Sequence, residues 1–137
     1  AQPTRLHTDD PSMQDTQQRV LNSAQFLAAN MARMPALLIP CMQGRPESPG
    51  LPPGIIAGMF GSTLPAVWSF MLAARERGLG TCWTTLHLNF EKEVATLLGI
   101  PDNYTQLALI PIAYTLGTDF KPAPRKPLDG ALHVDSW

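Results

Sequence analysis

Between Glu47 and Arg75 the chain carries no charged residue, and a stretch that long has to be taken away from water by something. A bilayer is one solution, since about 20 apolar residues suffice to cross it as a helix. Gly50, Pro52, Pro53, Gly54, Gly58, Gly61, Ser62, Thr63 and Pro65 interrupt the run, and a proline beyond the first turn breaks any one straight helix. The reading that fits is a soluble helix from about Ser62 to Arg77, covered on most of its faces by a core or by a second subunit. With 45% hydrophobic and 15% charged residues in 137, the chain can bury one sizeable core. A single domain over residues 1–137 with no membrane partner is the expectation.

The charges elsewhere are scattered and sum to −1, which provides no basic field for nucleic acid. Cys41 and Cys82 have neither zinc-site spacing nor the density of a disulfide scaffold, so a reducing cytoplasm is the expected location. The opening AQPTRLHTDDPSMQD begins without Met and holds no apolar signal region, and the chain is expected to begin inside a longer protein.

Local patterns divide the rest. Asp15 or Ser12 can cap a helix whose dry face is Val20, Ala24, Leu27, Ala28 and Met31. Pro35 to Met42 reads as one short buried strand with Pro40 near its end, and Gln43 to Gly54 as a loop. The charge-free helix closes with Arg75, Glu76, Arg77 and Gly78, a cationic last turn followed by a residue suited to the left-handed position. Thr81 to Leu88 is extended, Asn89 caps a short helix with Glu91 and Glu93 in its first turn and Val94, Leu97 and Leu98 on its buried face, and Gly99 and Pro101 end it. Gln106 to Tyr114 returns as an apolar strand. Strands alternating with helices indicate an α/β or α+β layer fold.

Candidate chemistry is sparse. The run GLGTCWTTLHL, residues 78 to 88, suits either a helix stop and buried strand or a turn of small residues whose backbone approaches a planar ligand. Spacing leaves both open. Arg125 and Lys126 are either solvated tail charges or anion ligands. His7, His87 and His133 lie far apart in sequence and read as structural, Cys82 as a buried inert thiol, and the scattered methionines as core filler.

LAARERGLGTCWTTLHL at 72–88 and PRKPLDGALHVDSW at 124–137 resemble the nitroreductase family of flavin enzymes. The resemblance is strongest from Ser62 to Trp137 and extends more weakly back through FLAANMARMPALLIPCMQGR. It implies an α+β nitroreductase-like fold, a mixed sheet flanked by helices, as an incomplete domain lacking the family's N-terminal segment with its Arg-rich turn and Asn motif. It implies FMN as cofactor at the interface of a homodimer. It further implies a ping-pong oxidoreductase taking hydride from NAD(P)H as co-substrate and passing it to a nitroaromatic, quinone or other small conjugated acceptor. No side chain is then an obligatory catalytic acid or base, and no metal is required. By the same resemblance Trp83, Thr84, Thr85 and Leu86 run along the flavin ring, with the Thr85 N–H near flavin N5, and Arg125 with Lys126 binds the FMN phosphate. Two departures from the family pattern stand out: Thr85 and Leu86 replace an acidic residue and Gly, and Ala123 stands where a Lys is common. A non-catalytic flavin-sequestering protein, or a truncated chain without flavin, is the alternative with the same fold.

Overall fold

The computed structural model describes residues 13–117, 119–122, 128 and 131–137. In chain order the elements are α1 (Gln14–Asn30), a 3-10 turn (Met31–Arg33), β1 (Ala36–Leu38), β2 (Cys41–Gln43), α2 (Pro53–Glu76), β3 (Leu79–Thr81), a 3-10 turn (Leu86–Phe90), α3 (Glu91–Leu98), β4 (Tyr104–Gln106) and β5 (Ile110–Tyr114). They fall into two compact units, Asn30–Thr118 and a unit made of Ala1–Ala29 with Asp119–Trp137.

The smaller unit holds α1. Asp15 lies inside its first turn, where a carboxylate suits the positive end of the helix dipole, rather than capping it. No residue of α1 is buried: Leu27 and Met31 are half-covered, whereas Val20, Ala24 and Ala28 are exposed. The helical period was read correctly, and the stripe it produces is exposed at Val20, Ala24 and Ala28. In the tail of this unit the rings of His133 and Trp137 stack with centroids 4.5 Å apart.

The larger unit is built on an antiparallel ribbon. Residues 35–42 do not make one strand. Pro40 cannot donate to a ladder, and the chain there passes from β1, which pairs with β5, to β2, which pairs with β4. The partner side breaks at the same place. Ile39 and Pro40 face three residues, Leu107, Ala108 and Leu109, which is the count of a β-bulge. The Pro40 carbonyl still accepts the Leu107 N–H at 2.9 Å. The expected strand 106–114 is therefore two, β4 and β5. β3 completes the first sheet in the order β1-β5-β3, with Gly80 opposite Ala113. A Cβ on Gly80 would collide with Thr115 Cγ2, so glycine there permits the close approach of β3 to the end of β5.

Helix α2 begins at Pro53, nine residues before the expected Ser62. Pro52 and Pro53 start it because a first-turn N–H has no intrahelical partner to lose. Pro65 lies inside the helix, so the expected break does not occur, although the Gly61 carbonyl forgoes its ordinary donor. Just upstream, Ser62 Oγ and Thr63 Oγ1 both donate to the Met59 carbonyl, at 2.9 and 3.2 Å. By length and composition α2 could cross a bilayer; in this fold one stripe of it sits on the sheet. Val67, Ala108 and Ile110 form the buried cluster, with Leu38, Met71 and Ile112 packed against it.

That stripe is narrow. Val67 and Ala74 are buried, whereas Trp68 is 60% and Leu72 56% exposed, so the expectation of a helix covered on most faces fails within the single chain. The helix ends as expected, with Gly78 at φ 75° and β3 following at once. α3 also ends as expected at left-handed Gly99, with Glu91 and Glu93 in its first turn. Its N-cap is Phe90 rather than Asn89, which belongs to the preceding 3-10 turn. Leu97 and Leu98 are exposed rather than buried, and within α3 only Glu91, Val94 and Ala95 are partly covered.

Candidate functional site

The four residues of the candidate ring-facing segment are contiguous on one turn, and its geometry follows from a single bridge. Thr84 pairs with Leu109 across the bulge: the Thr84 N–H and Oγ1 both donate to the Leu109 carbonyl, at 3.1 and 2.6 Å, and the Leu109 N–H donates to the Thr84 carbonyl at 2.8 Å. Three hydrogen bonds pin one residue. Thr85 then leaves the extended region, with φ −131° and ψ −1°, and its carbonyl accepts the Leu88 N–H at 3.0 Å to begin the 3-10 turn. Residues 86–88 are thus helical, where an extended run was expected. Among the described residues the exposed Thr85 N–H meets no acceptor. Trp83 and Leu86 flank it as exposed apolar surfaces, 37% and 66% accessible.

Behind the turn lies a polar cluster that sequence patterns missed. Arg45 grips Glu91 with two bonds, Nη1 to Oε1 at 2.9 Å and Nη2 to Oε2 at 3.1 Å. It also donates from Nη1 to the Tyr104 carbonyl at 2.8 Å and from Nε to Glu47 at 2.6 Å. Gln106, 3% exposed, donates its Nε2 to the Glu91 carbonyl at 2.8 Å and its backbone N–H to Glu91 Oε1 at 3.3 Å. Arg45 holds the Glu91 carboxyl below the usual carboxylate range, with help from the Gln106 N–H. Arg45 and Glu91 lie 46 positions apart, so no spacing rule joins them. The available signals were a glutamine in an apolar strand and a histidine in TTLHL.

His87, two residues beyond Thr85, is part of this region. Both ring nitrogens are buried without a hydrogen-bond partner, as is Gln106 Oε1. Burial pushes the imidazole below its ordinary value, opposed by Gln106 and by the charge of Glu91. Gln106 is near enough to act electrostatically on the ring, yet no hydrogen bond of ordinary geometry joins them.

Cys82 is exposed, correcting the expectation of a buried thiol. Desolvation nonetheless pushes its pKa up, which disfavours the thiolate. Among the described residues no three His, Cys, Asp or Glu side chains converge as a metal site. Arg125 and Lys126 lie outside the described residues, as does His7. A cleft of about 680 Å³ opens between Arg45, Glu91 and the 99–104 turn, with Lys92 and Asp102 at its rim.

A family model, the nitroreductase family, matches residues 3–114. This chain is a member of the nitroreductase family. No curated protein matches it. Among solved structures, a variant of the FMN and NADPH-dependent nitroreductase NfnB from Sphigopyxis sp. strain HMH is 21% identical, with a TM-score of 0.58, over 97% of this chain and 54% of its own. A nitroreductase-like family protein from Bacillus cereus is also 21% identical, with a TM-score of 0.56, over 85% of this chain and 59% of its own. A BluB-like flavoprotein from Clostridium difficile 630 is 18% identical, with a TM-score of 0.57, over 89% of this chain and 64% of its own. The likeness establishes the nitroreductase-like α+β fold. This nitroreductase-family chain spans between about half and two thirds of the length of these three proteins.

Proposed function

We propose that this chain carries the flavin-ring turn of an FMN-dependent oxidoreductase, which moves hydride from NAD(P)H to a nitroaromatic, quinone or similar small conjugated acceptor. The observation that carries the reading is the Thr85 N–H, held outward by the Thr84–Leu109 bridge without an acceptor and framed by Trp83 and Leu86. A fixed, unsatisfied donor between two apolar side chains fits the polar edge of a planar heterocycle. FMN, when bound, supplies the two-electron chemistry. The chain's own part is to position the ring through backbone contacts, cover a face of it with Trp83 and Leu86, and bind the phosphate with Arg125 and Lys126. In a dry site the dipole at Thr85 favours a reduced, more negative ring without reorganising. The test is flavin absorbance in the purified protein, followed by stopped-flow bleaching with NADH and NADPH. Bound flavin that neither nucleotide bleaches supports the sequestering alternative, and absence of flavin at saturating FMN rejects both readings.

The backbone role separates two variants. Thr85→Ala should keep flavin and most of the reduction rate. Thr85→Pro deletes the N–H and also forces φ from −131° toward about −65°, so it should lose both. An amide-to-ester replacement at Thr85 isolates the donor, and a fall in reduction rate of about 10- to 100-fold is expected from losing a hydrogen bond to a charged group. An unchanged rate in the ester would reject the donor role.

Arg125 is the proposed phosphate anchor. Arg125→Ala should weaken FMN by about one to two decades and leave riboflavin nearly unaffected, with Arg125→Lys recovering part of the loss because a point charge replaces a planar fork. Equal weakening of both ligands in a titration would assign the phosphate to other groups.

The uncovered apolar face of α2 supports a homodimer with the flavin at its interface. Exposed Trp68, Phe70 and Leu72 face away from the chain's own core, whereas Met71 packs into it. Phe70→Glu should therefore shift the species seen by light scattering from dimer to monomer, while Met71→Glu should unfold the chain. A native monomer at micromolar concentration would count against the dimer.

A further inference from the structure

The two orphaned groups behind the flavin-facing turn belong together. A neutral imidazole has one N–H donor and one bare nitrogen, and the nearby Gln106 Oε1 is an acceptor without a donor. Gln106 cannot swing away freely, because its Nε2 and backbone N–H are both committed to Glu91, which Arg45 holds by two bonds. His87, in contrast, sits in a single 3-10 turn whose first carbonyl belongs to Thr85.

We propose that His87 is a positioning residue for the turn that bears Thr85: as a neutral imidazole it ties that turn to β4 by donating to Gln106 Oε1, and on protonation it releases the turn. This rests on the reading of the turn as flavin-binding. An imidazolium has two N–H donors, and among the described residues only one unused acceptor is available, so the second donor would stay buried and unpaired. The charges around the ring do not reverse this. Glu91 favours the imidazolium but is engaged by Arg45, and the net effect of burial over Glu91 and Gln106 is to favour the neutral ring. Protonation therefore begins to disfavour the tied turn as pH falls through the ordinary imidazole value and continues down to the lower value in the fold.

The test uses the full chain, 15N-labelled and free of flavin, titrated by NMR from pH 8 to 5. His87 should show one neutral tautomer and titrate below the ordinary imidazole value, and the Thr85 amide should shift with the same midpoint. His87→Gln keeps a donor but cannot be charged, and it should hold the Thr85 amide flat across the range. His87 titrating at the ordinary value, or a Thr85 shift that persists in H87Q, overturns the proposal, and the wild-type titration decides this even if the variant fails to fold. Riboflavin, which has no phosphate to titrate, is then the probe. Its binding should weaken about fivefold from pH 7.5 to 5.5 in the wild type and stay constant in H87Q. Equal pH dependence in both proteins rejects His87 as the cause while leaving the flavin reading intact. No riboflavin binding at any pH, with the Thr85 amide still following His87, rejects the flavin reading and upholds the positioning role.

Discussion

Glu91→Ala should destabilise the chain by about 2–3 kcal/mol at neutral pH, because it removes both Arg45 bonds and the acceptor for the Gln106 N–H in one step. The side chains of Arg45 and Glu91 remain 29% and 23% exposed, which places the loss below that of a fully buried pair. The Arg45–Glu47 contact survives the change but involves a carboxylate 58% exposed, so it offsets little. The pH dependence follows from the depressed Glu91 value. Its contribution is complete above the ordinary carboxylate value and disappears as pH falls through the lower value in the fold. Urea melts of the wild type and Glu91→Ala should therefore differ at pH 7 and converge at strongly acid pH. A difference that stayed constant across that range would show that packing, not the carboxylate, carries the loss.

Ile110→Ala should cost still more, about 3–4 kcal/mol. Ile110 is fully buried at the centre of a small cluster with Val67 and Ala108, and it joins α2 to the middle strand of the three-stranded sheet. A cavity there has few neighbours able to collapse into it. Since domains of this size have about 5–15 kcal/mol in total, much of the stability should go, and the urea midpoint should fall accordingly. Ile110→Val should lose only about 0.5–1.5 kcal/mol. If both variants melt within about 0.5 kcal/mol of the wild type, the cluster is not the centre of the core.

What could be read from the sequence was local. Gly78 and Gly99 stop helices because left-handed backbone favours glycine, whereas the 3-10 turn that follows Thr85 was read as extended. Long-range pairing overrode the rest. The 35–42 segment looks like one strand, and only the bulge opposite Pro40 shows why it serves two sheets. Gly58, Gly61 and Pro65 read as interruptions, yet α2 runs through them with Val67 and Met71 seated on the sheet. The Arg45–Glu91–Gln106 cluster left no periodic trace, since its members come from a loop, a helix start and a strand. His87 read as structural because Gln106, which faces its ring, lies on a strand beyond α3.

The pairing of Ala36 with Ile112 also governs the order in which the chain can assemble. β1 emerges about 70 residues before its partner β5, and such late, non-local pairing is slow because a large loop must close before any contact rewards it. During synthesis the apolar α2 is complete while the strand that receives Val67 and Met71 is still to be made. A nascent chain therefore presents that helix bare, and refolding yield should fall with protein concentration as bare helices find one another before β5 arrives.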